Sequence, residues 1–394
     1  MENSTENPGQ PARSRRGWVI LAGVLIVLLV AGAIAYPTLK QRWSAPLGPA
    51  LELPTHTPTT QPPTSTSPAI SQQSTAVLPE PGLSLTPTEA PTATPEPTAT
   101  PQPLCGGPAL MTILAVGVDT EDNNYTYGLG DAIRVARVDF VTPKITVLTM
   151  PRDLWVEIPG ISDHYGITHG KLNQSYFYGS PGMNYYDGPG GGPGLMARTL
   201  DLNFGLRVDH YGALNMITFE RIVDAVGGID LYLESDVDGT PIDKGTEDMG
   251  YFYSGNNHFT GEEALRFSRI RKRYNDFTRG DFQNMVICAL RNKLLTPAVL
   301  PKIPQIIAAF QDSVITDLSL EQMSQLACLL PSLSRENILF ASLPQEIFTQ
   351  GRVVSPQMGK ETFILEADYD VIRDYVQKFM AGEWPNEPKE PTCE

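Results

Sequence analysis

Leu110-Met111-Thr112-Ile113-Leu114-Ala115-Val116-Gly117-Val118 is a nearly continuous apolar run. Its length and composition fit a strand buried on both faces of a sheet. Further strand patterns lie at 133–141 and 144–150, around a Thr142-Pro143 turn. Helical spacing follows at 195–204 and 218–226, and strand patterns at 208–214 and 229–233. Thr260-Gly261-Glu262-Glu263 is a capping box that opens a helix through Leu265. Helical patterns return at 281–295, 302–312, 319–330 and 368–380. Strands alternate with helices, so the expected fold is α/β: a central mixed sheet covered by helices.

Outside this region the composition changes. Residues 17–36 carry no charge and are almost wholly apolar. At ~1.5 Å per residue they reach roughly 30 Å, enough for a bilayer core. Arg13, Arg15 and Arg16 precede the run, so residues 1–16 are expected to be a cytoplasmic tail. The alternative is a cleaved signal peptide, with Ala33-Ile34-Ala35 as its cleavage site. A run this long favours a retained transmembrane helix. Residues 37–103 are dominated by Pro, Thr, Ser and Ala. That composition buries too little apolar surface to fold, and it reads as a disordered stalk. Residues 104–394 are the globular part, with 110–295 its core and 296–394 a helical remainder.

Four cysteines, Cys105, Cys288, Cys328 and Cys393, include no C-x-x-C pair, which argues against a structural zinc site. Outside the membrane they can pair. Cys288 and Cys328 lie in two apolar helical segments and are one candidate bridge; Cys105 and Cys393 flank the globular part. Four separate thiols are the other reading.

The charge pattern points to an anion. The chain has a net charge of −15, yet residues 266–279 read Arg-Phe-Ser-Arg-Ile-Arg-Lys-Arg-Tyr-Asn-Asp-Phe-Thr-Arg. Clustered guanidinium groups repel one another unless an anion sits among them, and Arg matches phosphate oxygens bidentately. Pyrophosphate is a good candidate, and a solvated helix face is the alternative. Arg269 and Arg271 share a face only on an extended segment, so the helix begun at Thr260 is expected to end near Arg266. Asp119 follows the first strand, and Arg152 and Asp153 follow another, where open α/β sheets bind ligands. Asp131 can join them. Hard cations such as Mg²⁺ use one or two carboxylates plus substrate phosphates. The glycine-rich stretch 188–194 is either a phosphate cradle or a lid. The five histidines show no metal-ligand spacing.

Taken in order, Gly-Val-Asp119, Asp131, Met-Pro-Arg152-Asp153, Gly-Lys171-Leu-Asn173, Val226-Gly227-Gly228-Ile229-Asp230, the run from Ala264 to Arg271, and Asp276-Phe277-Thr278-Arg279 resemble the LytR-CpsA-Psr family. The resemblance implies an α-β-α sandwich with a lipid tunnel. It also implies a membrane-anchored, extracytoplasmic phosphotransferase, moving a glycopolymer from a polyprenyl-pyrophosphate carrier onto peptidoglycan. On the matching positions, Asp119 and Asp131 would hold Mg²⁺. Arg152, Lys171, Arg269, Arg271, Arg279 and Gln283 would hold the pyrophosphate, and Asn173 belongs with Lys171 in the substrate-binding set. Asp119 or Asp153 would take the acceptor's proton. Two departures stand out. The family's Arg-Ser-Asp-Thr is Leu129-Gly130-Asp131-Ala132 here, and its Arg-Gln is Phe282-Gln283.

Two other functions use the same residues. A prenyl-pyrophosphate hydrolase would take water as acceptor. A non-catalytic lipid-pyrophosphate-binding regulator would need only the cations. Nucleic acid is an unsuitable partner, because the chain is acidic overall and the basic run lies beyond the expected anchor. The expected location is the cell membrane, crossed once, with the C-terminal domain outside.

Overall fold

The computed structural model describes residues 36–38, 40–54, 101–310, 313–357 and 359–385. A six-stranded mixed sheet organises the domain. Strand β1 (Leu110–Val118) lies near its centre, antiparallel to β2 (Gly130–Asp139) and parallel to the strand His210–Asn215. Strand β3 (Lys144–Met150) continues from β2 and pairs in parallel with Ile338–Ser342. Val314–Thr316 forms the opposite edge, against His210–Asn215.

The two-residue period of β1 gives the sheet two unlike faces. Leu114, Val116 and Val118 join Ile133, Val135, Leu148 and Met150 in one core. They are covered by the helices Leu172–Tyr178, Gly191–Phe204 and Tyr369–Ala381. On the other face Ala115 and Gly117 look into a cavity. The end of the strand is therefore packed on one side only, whereas Met111 and Ile113, earlier on the same face as Ala115, join a separate core with Val138, Phe140 and Val147. Small side chains on the second side leave space where large ones would have closed it.

A second core fills the region beyond that space. Phe252, Phe259, Phe267 and Phe282 pack ring to ring at 4.9–5.3 Å. They lie beneath the helices Met216–Ala225, Gly261–Arg269 and Asp276–Leu294 and the hairpin of Ile229–Leu233 with Gly255–Phe259. Each buried apolar side chain of this size contributes roughly 1.5–3 kcal/mol.

Four expectations are corrected here. Thr260 and Glu263 do form the capping box, but the helix runs on to Arg269 instead of ending near Arg266. Arg266 and Arg269 sit in its last turn, where cations favour the helix dipole. The C-terminal part is not simply helical. It supplies two strands of the sheet and a hairpin, Phe348–Val354 with Glu361–Ala367. The disulfide is Cys105–Cys328, not Cys288–Cys328, and Cys288 is itself disulfide-bonded. Finally, residues 46–53, expected within the stalk, lie on the domain: Pro46 bridges Ser319, and Leu51 and Leu53 pack on the core. Among the described residues no helix is long and apolar enough to cross a membrane. The apolar run 17–36, apart from Tyr36, lies outside them.

Cys105 and Cys328 are separated by 223 residues, so their bond removes much of the unfolded chain's freedom. Replacing both with Ser should lower the unfolding free energy by about 2–4 kcal/mol. Guanidinium titration without reductant checks this. An unchanged midpoint would show that packing alone holds this terminus.

Candidate functional site

A break in the β1–β2 ladder creates the centre of the site. Gly117 pairs with Ala132 and Val118 with Gly130, so Asp131 is left as the extra residue of a β-bulge. Bulges re-aim side chains, and this one turns Asp131 toward the ends of three other elements. Its carboxylate accepts from Arg152 Nη1 and, at 2.9 Å, from Asn173 Nδ2. Its carbonyl lies 3.4 Å from Arg279 Nη2. Gly130 beside it sits in a tight space: a Cβ there would approach Met196 Cε at 2.8 Å and Val116 Cγ1 at 3.0 Å.

Arg152 is nearly buried. Its Nε lies 3.4 Å from both Asp153 and Asp276. Asp276 opens the helix Asp276–Leu294 and also reaches Arg279 at 3.6 Å. Lys171 Nζ donates to Asp153 at 2.8 Å. Burial raises the Asp153 carboxyl above its usual range, and Arg152 and Lys171 oppose that rise. Arg152, Asp153, Lys171 and Asn173 thus stand behind Asp131 as a charge-paired cluster outside the lining of the large cavity.

The other predicted residues face the cavity itself, which holds about 590 Å³. Asp119, Asp131, Arg269, Arg271, Arg279 and Gln283 all line it. Arg271 is not on a shared extended face with Arg269; it follows the helix end at Ile270 and is exposed. Arg269 is held by Glu247 at 3.0 and 3.3 Å and lies 3.9 Å from Asp119. Burial, reinforced by the neighbouring Asp131 carboxylate, holds the Asp119 carboxyl above its usual range, with Arg269 pulling it back. The deeper lining is apolar and includes Val116, Leu214, Phe219, Ile222, Leu265 and Leu290. Residues 188–194 do not line it. They open the helix Gly191–Phe204 and pack against Tyr176 and Tyr186.

Sequence reasoning missed Arg134, Asp276 and Glu247. Arg134 is fully buried and donates to Asn284 at 2.5 Å, Thr149 at 2.9 Å, Gln283 at 3.0 Å and Gly280 O at 3.1 Å. Burial pushes its guanidinium down to about 10, so it stays charged at neutral pH. The available signal was an Arg within the apolar run Ala132-Ile133-Arg134-Val135-Ala136, since a buried charge needs partners. Glu247 gave no signal, because it sits in an irregular loop.

Among the described residues no group of three or more His, Cys, Asp or Glu side chains is arranged to hold a metal. The Asp119 and Asp131 carboxylates are close enough to perturb each other, and such a pair fits a divalent cation that completes its shell with substrate oxygens.

A family model described as the LytR_cpsA_psr family matches residues 104–369. The chain is 31% identical over 219 residues to a polyisoprenyl-teichoic acid–peptidoglycan teichoic acid transferase, TagU, of Oceanobacillus iheyensis, covering 55% of this chain and 61% of that one. It is 26% identical over 214 residues to the regulatory protein MsrR of Staphylococcus aureus, covering 52% and 57%. The matches therefore span about three fifths of these relatives. In fold it is similar to the crystal structure of TagV from B. subtilis, with a TM-score of 0.52 and 23% identity over 69% of this chain and 97% of that one.

Two substitutions separate scaffold from binding surface. Arg134→Met should lower unfolding free energy by about 2 kcal/mol or more, because it orphans buried acceptors. Arg271→Ala should stay within about 0.5 kcal/mol of the parent. Urea titrations followed by circular dichroism measure both. Equal losses would mean that Arg271 serves the fold and not a ligand.

Proposed function

The chain belongs to the LytR_cpsA_psr family, and we propose that it transfers a glycopolymer from a polyprenyl-pyrophosphate carrier onto peptidoglycan, outside the cytoplasm and anchored through residues 17–36. The observation that carries this reading is the union of two unlike surfaces in one cavity. Its depth is apolar, lined by Phe219, Ile222 and Leu290, and suits a polyprenyl tail. Its lining also presents Arg269, Arg271 and the buried Arg279, which suit a pyrophosphate. An amphiphile with a long apolar tail and a doubly phosphorylated head matches both at once.

In the proposed reaction an acceptor hydroxyl oxygen attacks the phosphorus next to the glycan. A P–O bond to that phosphorus forms, and the bridging P–O bond to the prenyl phosphate breaks. Prenyl monophosphate leaves with the electron pair, and the glycan stays on the wall through a phosphodiester. The arginines oppose the charge that builds on the leaving phosphate. Asp119 is the better acceptor for the hydroxyl proton, since it is part-exposed and lines the cavity. Asp153 lies behind, paired with Lys171 and Arg152. Mg²⁺ held by Asp119 and Asp131 would add charge neutralisation at the phosphate oxygens. Arg134 positions Gln283 from beneath.

Full-length protein, lipid-pyrophosphate-linked glycan and peptidoglycan test the reading together. Polymer covalently attached to the wall is the expected product. Free polymer phosphate would make the protein a hydrolase, and tight lipid binding without turnover would make it a receptor.

Two variants sharpen the test. Ala115→Phe places a ring in the apolar depth, and should weaken a long-tailed carrier about tenfold or more while leaving a short-tailed analogue nearly unaffected. Equal effects on both tails would remove the depth of the cavity from tail binding. Asp119→Asn should cut turnover by roughly a hundredfold or more with the fold intact. Wild-type rates in that variant would exclude Asp119 as the base.

A further inference from the structure

The segment after the apolar run does not lead away from the domain. Ser44 Oγ donates to Glu321, and Pro46 forms an antiparallel bridge with Ser319. The Leu47 amide donates to Leu318 O at 3.4 Å, and Tyr211 Oη donates to Pro49 O at 2.9 Å. A Cβ on Gly48 would meet Thr316 O at 2.6 Å, so the backbone lies directly on the edge strand Val314–Thr316. Leu51 and Leu53 then enter the margin of the main core. An edge strand is a ladder of open hydrogen-bonding groups that proteins cover, and here the cover comes from the chain's own N-terminal side.

This path reverses the role expected of the Pro/Thr-rich segment. The chain is fixed to the domain at Leu53 and fixed again at Leu104, whose amide donates to Phe140 O at 2.8 Å, with Cys105 bound to Cys328. Residues 55–102 therefore join two points that both lie on the domain. Only residues 37–43 separate the apolar run from the first docked residue. Those described are helical and exposed, with Lys40 and Arg42 among them and Trp43 47% exposed; Tyr36 before them is 65% exposed, and Leu47, in the bend that follows the helix, 40%. Aromatic rings with cations next to an apolar span suit the lipid headgroup region. The edge strand follows the apolar helix Ile303–Phe310, which leaves Ala308 and Ala309 exposed and packs on the cavity-lining helix Met216–Ala225.

We propose that residues 44–53 are a strap that seats the domain directly on a lipid bilayer, with Tyr36, Lys40, Arg42, Trp43 and Leu47 in contact with its headgroups. The proposal rests on residues 17–36 being a membrane anchor. It is independent of the chemistry assigned to the cavity.

The experiment uses the full chain in bilayers of phosphatidylglycerol and phosphatidylcholine, with the height of the domain read by neutron reflectometry. Deleting residues 56–100 should leave that height unchanged to within about 5 Å. If the same residues were a stalk, a coil of their length would span about 40 Å and an extended one roughly 150 Å, and the domain would drop by tens of ångströms. Such a drop overturns the strap. Gly48→Val should lift the segment off the edge strand and raise the domain. Trp43 emission, taken as the difference between the parent and Trp43→Phe, should be quenched by brominated lipids, and absence of quenching overturns the bilayer contact. A chain that fails to float with vesicles overturns the anchor and the contact together. Transfer activity enters none of these readouts, so the catalytic reading is judged separately.

Discussion

A carboxylate at the rim of an apolar cavity must be compensated, and the compensation of Asp131 organises this domain. The bulge at Gly117 and Val118 turns the side chain out of the ladder. Arg152, Asn173 and Arg279 then converge on one residue from three separate segments. Each charge-assisted hydrogen bond contributes about 1.5–3 kcal/mol, and an unpaired partner would cost a similar amount. The end of β3, the helix Leu172–Tyr178 and the helix Asp276–Leu294 are thereby held at fixed distances from β1. The same contacts leave Asp119 and Arg271 less constrained. Rigid charges stand behind, and accessible charges face the space where a ligand would lie.

The cavity is the second constraint, and it follows from the smallness of Ala115, Gly117 and Ala132. A space of about 590 Å³ is volume that larger apolar side chains would otherwise fill. A fold under selection for stability alone would have filled it with Leu or Phe at those positions. The phenylalanine cluster beside it shows that large rings were accommodated nearby.

Much of this was legible, and the gaps have physical causes. β1, β3 and the helices beyond Thr260 were readable because period and capping act locally. The bulge was not, because it falls at the start of β2, where only Gly130 precedes Asp131 and there is no alternation to interrupt. Val314–Thr316 was missed because three residues carry too few periods to stand out, and Ile338–Ser342 because it is buried along most of its length and does not alternate as Ile229–Leu233 does. The Arg269–Arg271 pair was legible as a ligand site but not in geometry: Arg269 closes a helix and Arg271 follows it, so the two reach the cavity by a change of backbone direction. Cysteine pairing depends on which segments the sheet brings together, and Cys105 finds Cys328 only because Leu104 docks against Phe140.

The docked segment shows the limit of compositional reasoning most clearly. Between 37 and 103, residues 46–53 are proline-containing like the rest of that stretch, yet they contain Leu47, Leu51 and Leu53 at a spacing that lets a strand edge and a core margin receive them. A few hydrogen bonds, to Leu318 O and from Tyr211 Oη, and two half-buried leucines hold it there. Once both flanks of residues 55–102 are fixed, the length between them is nearly free to vary: doubling a closed segment adds only about 0.6 kcal/mol. In the proposed strap, the reach of the domain from the apolar run would be set by the short stretch of residues 37–43 and by the position of the edge strand.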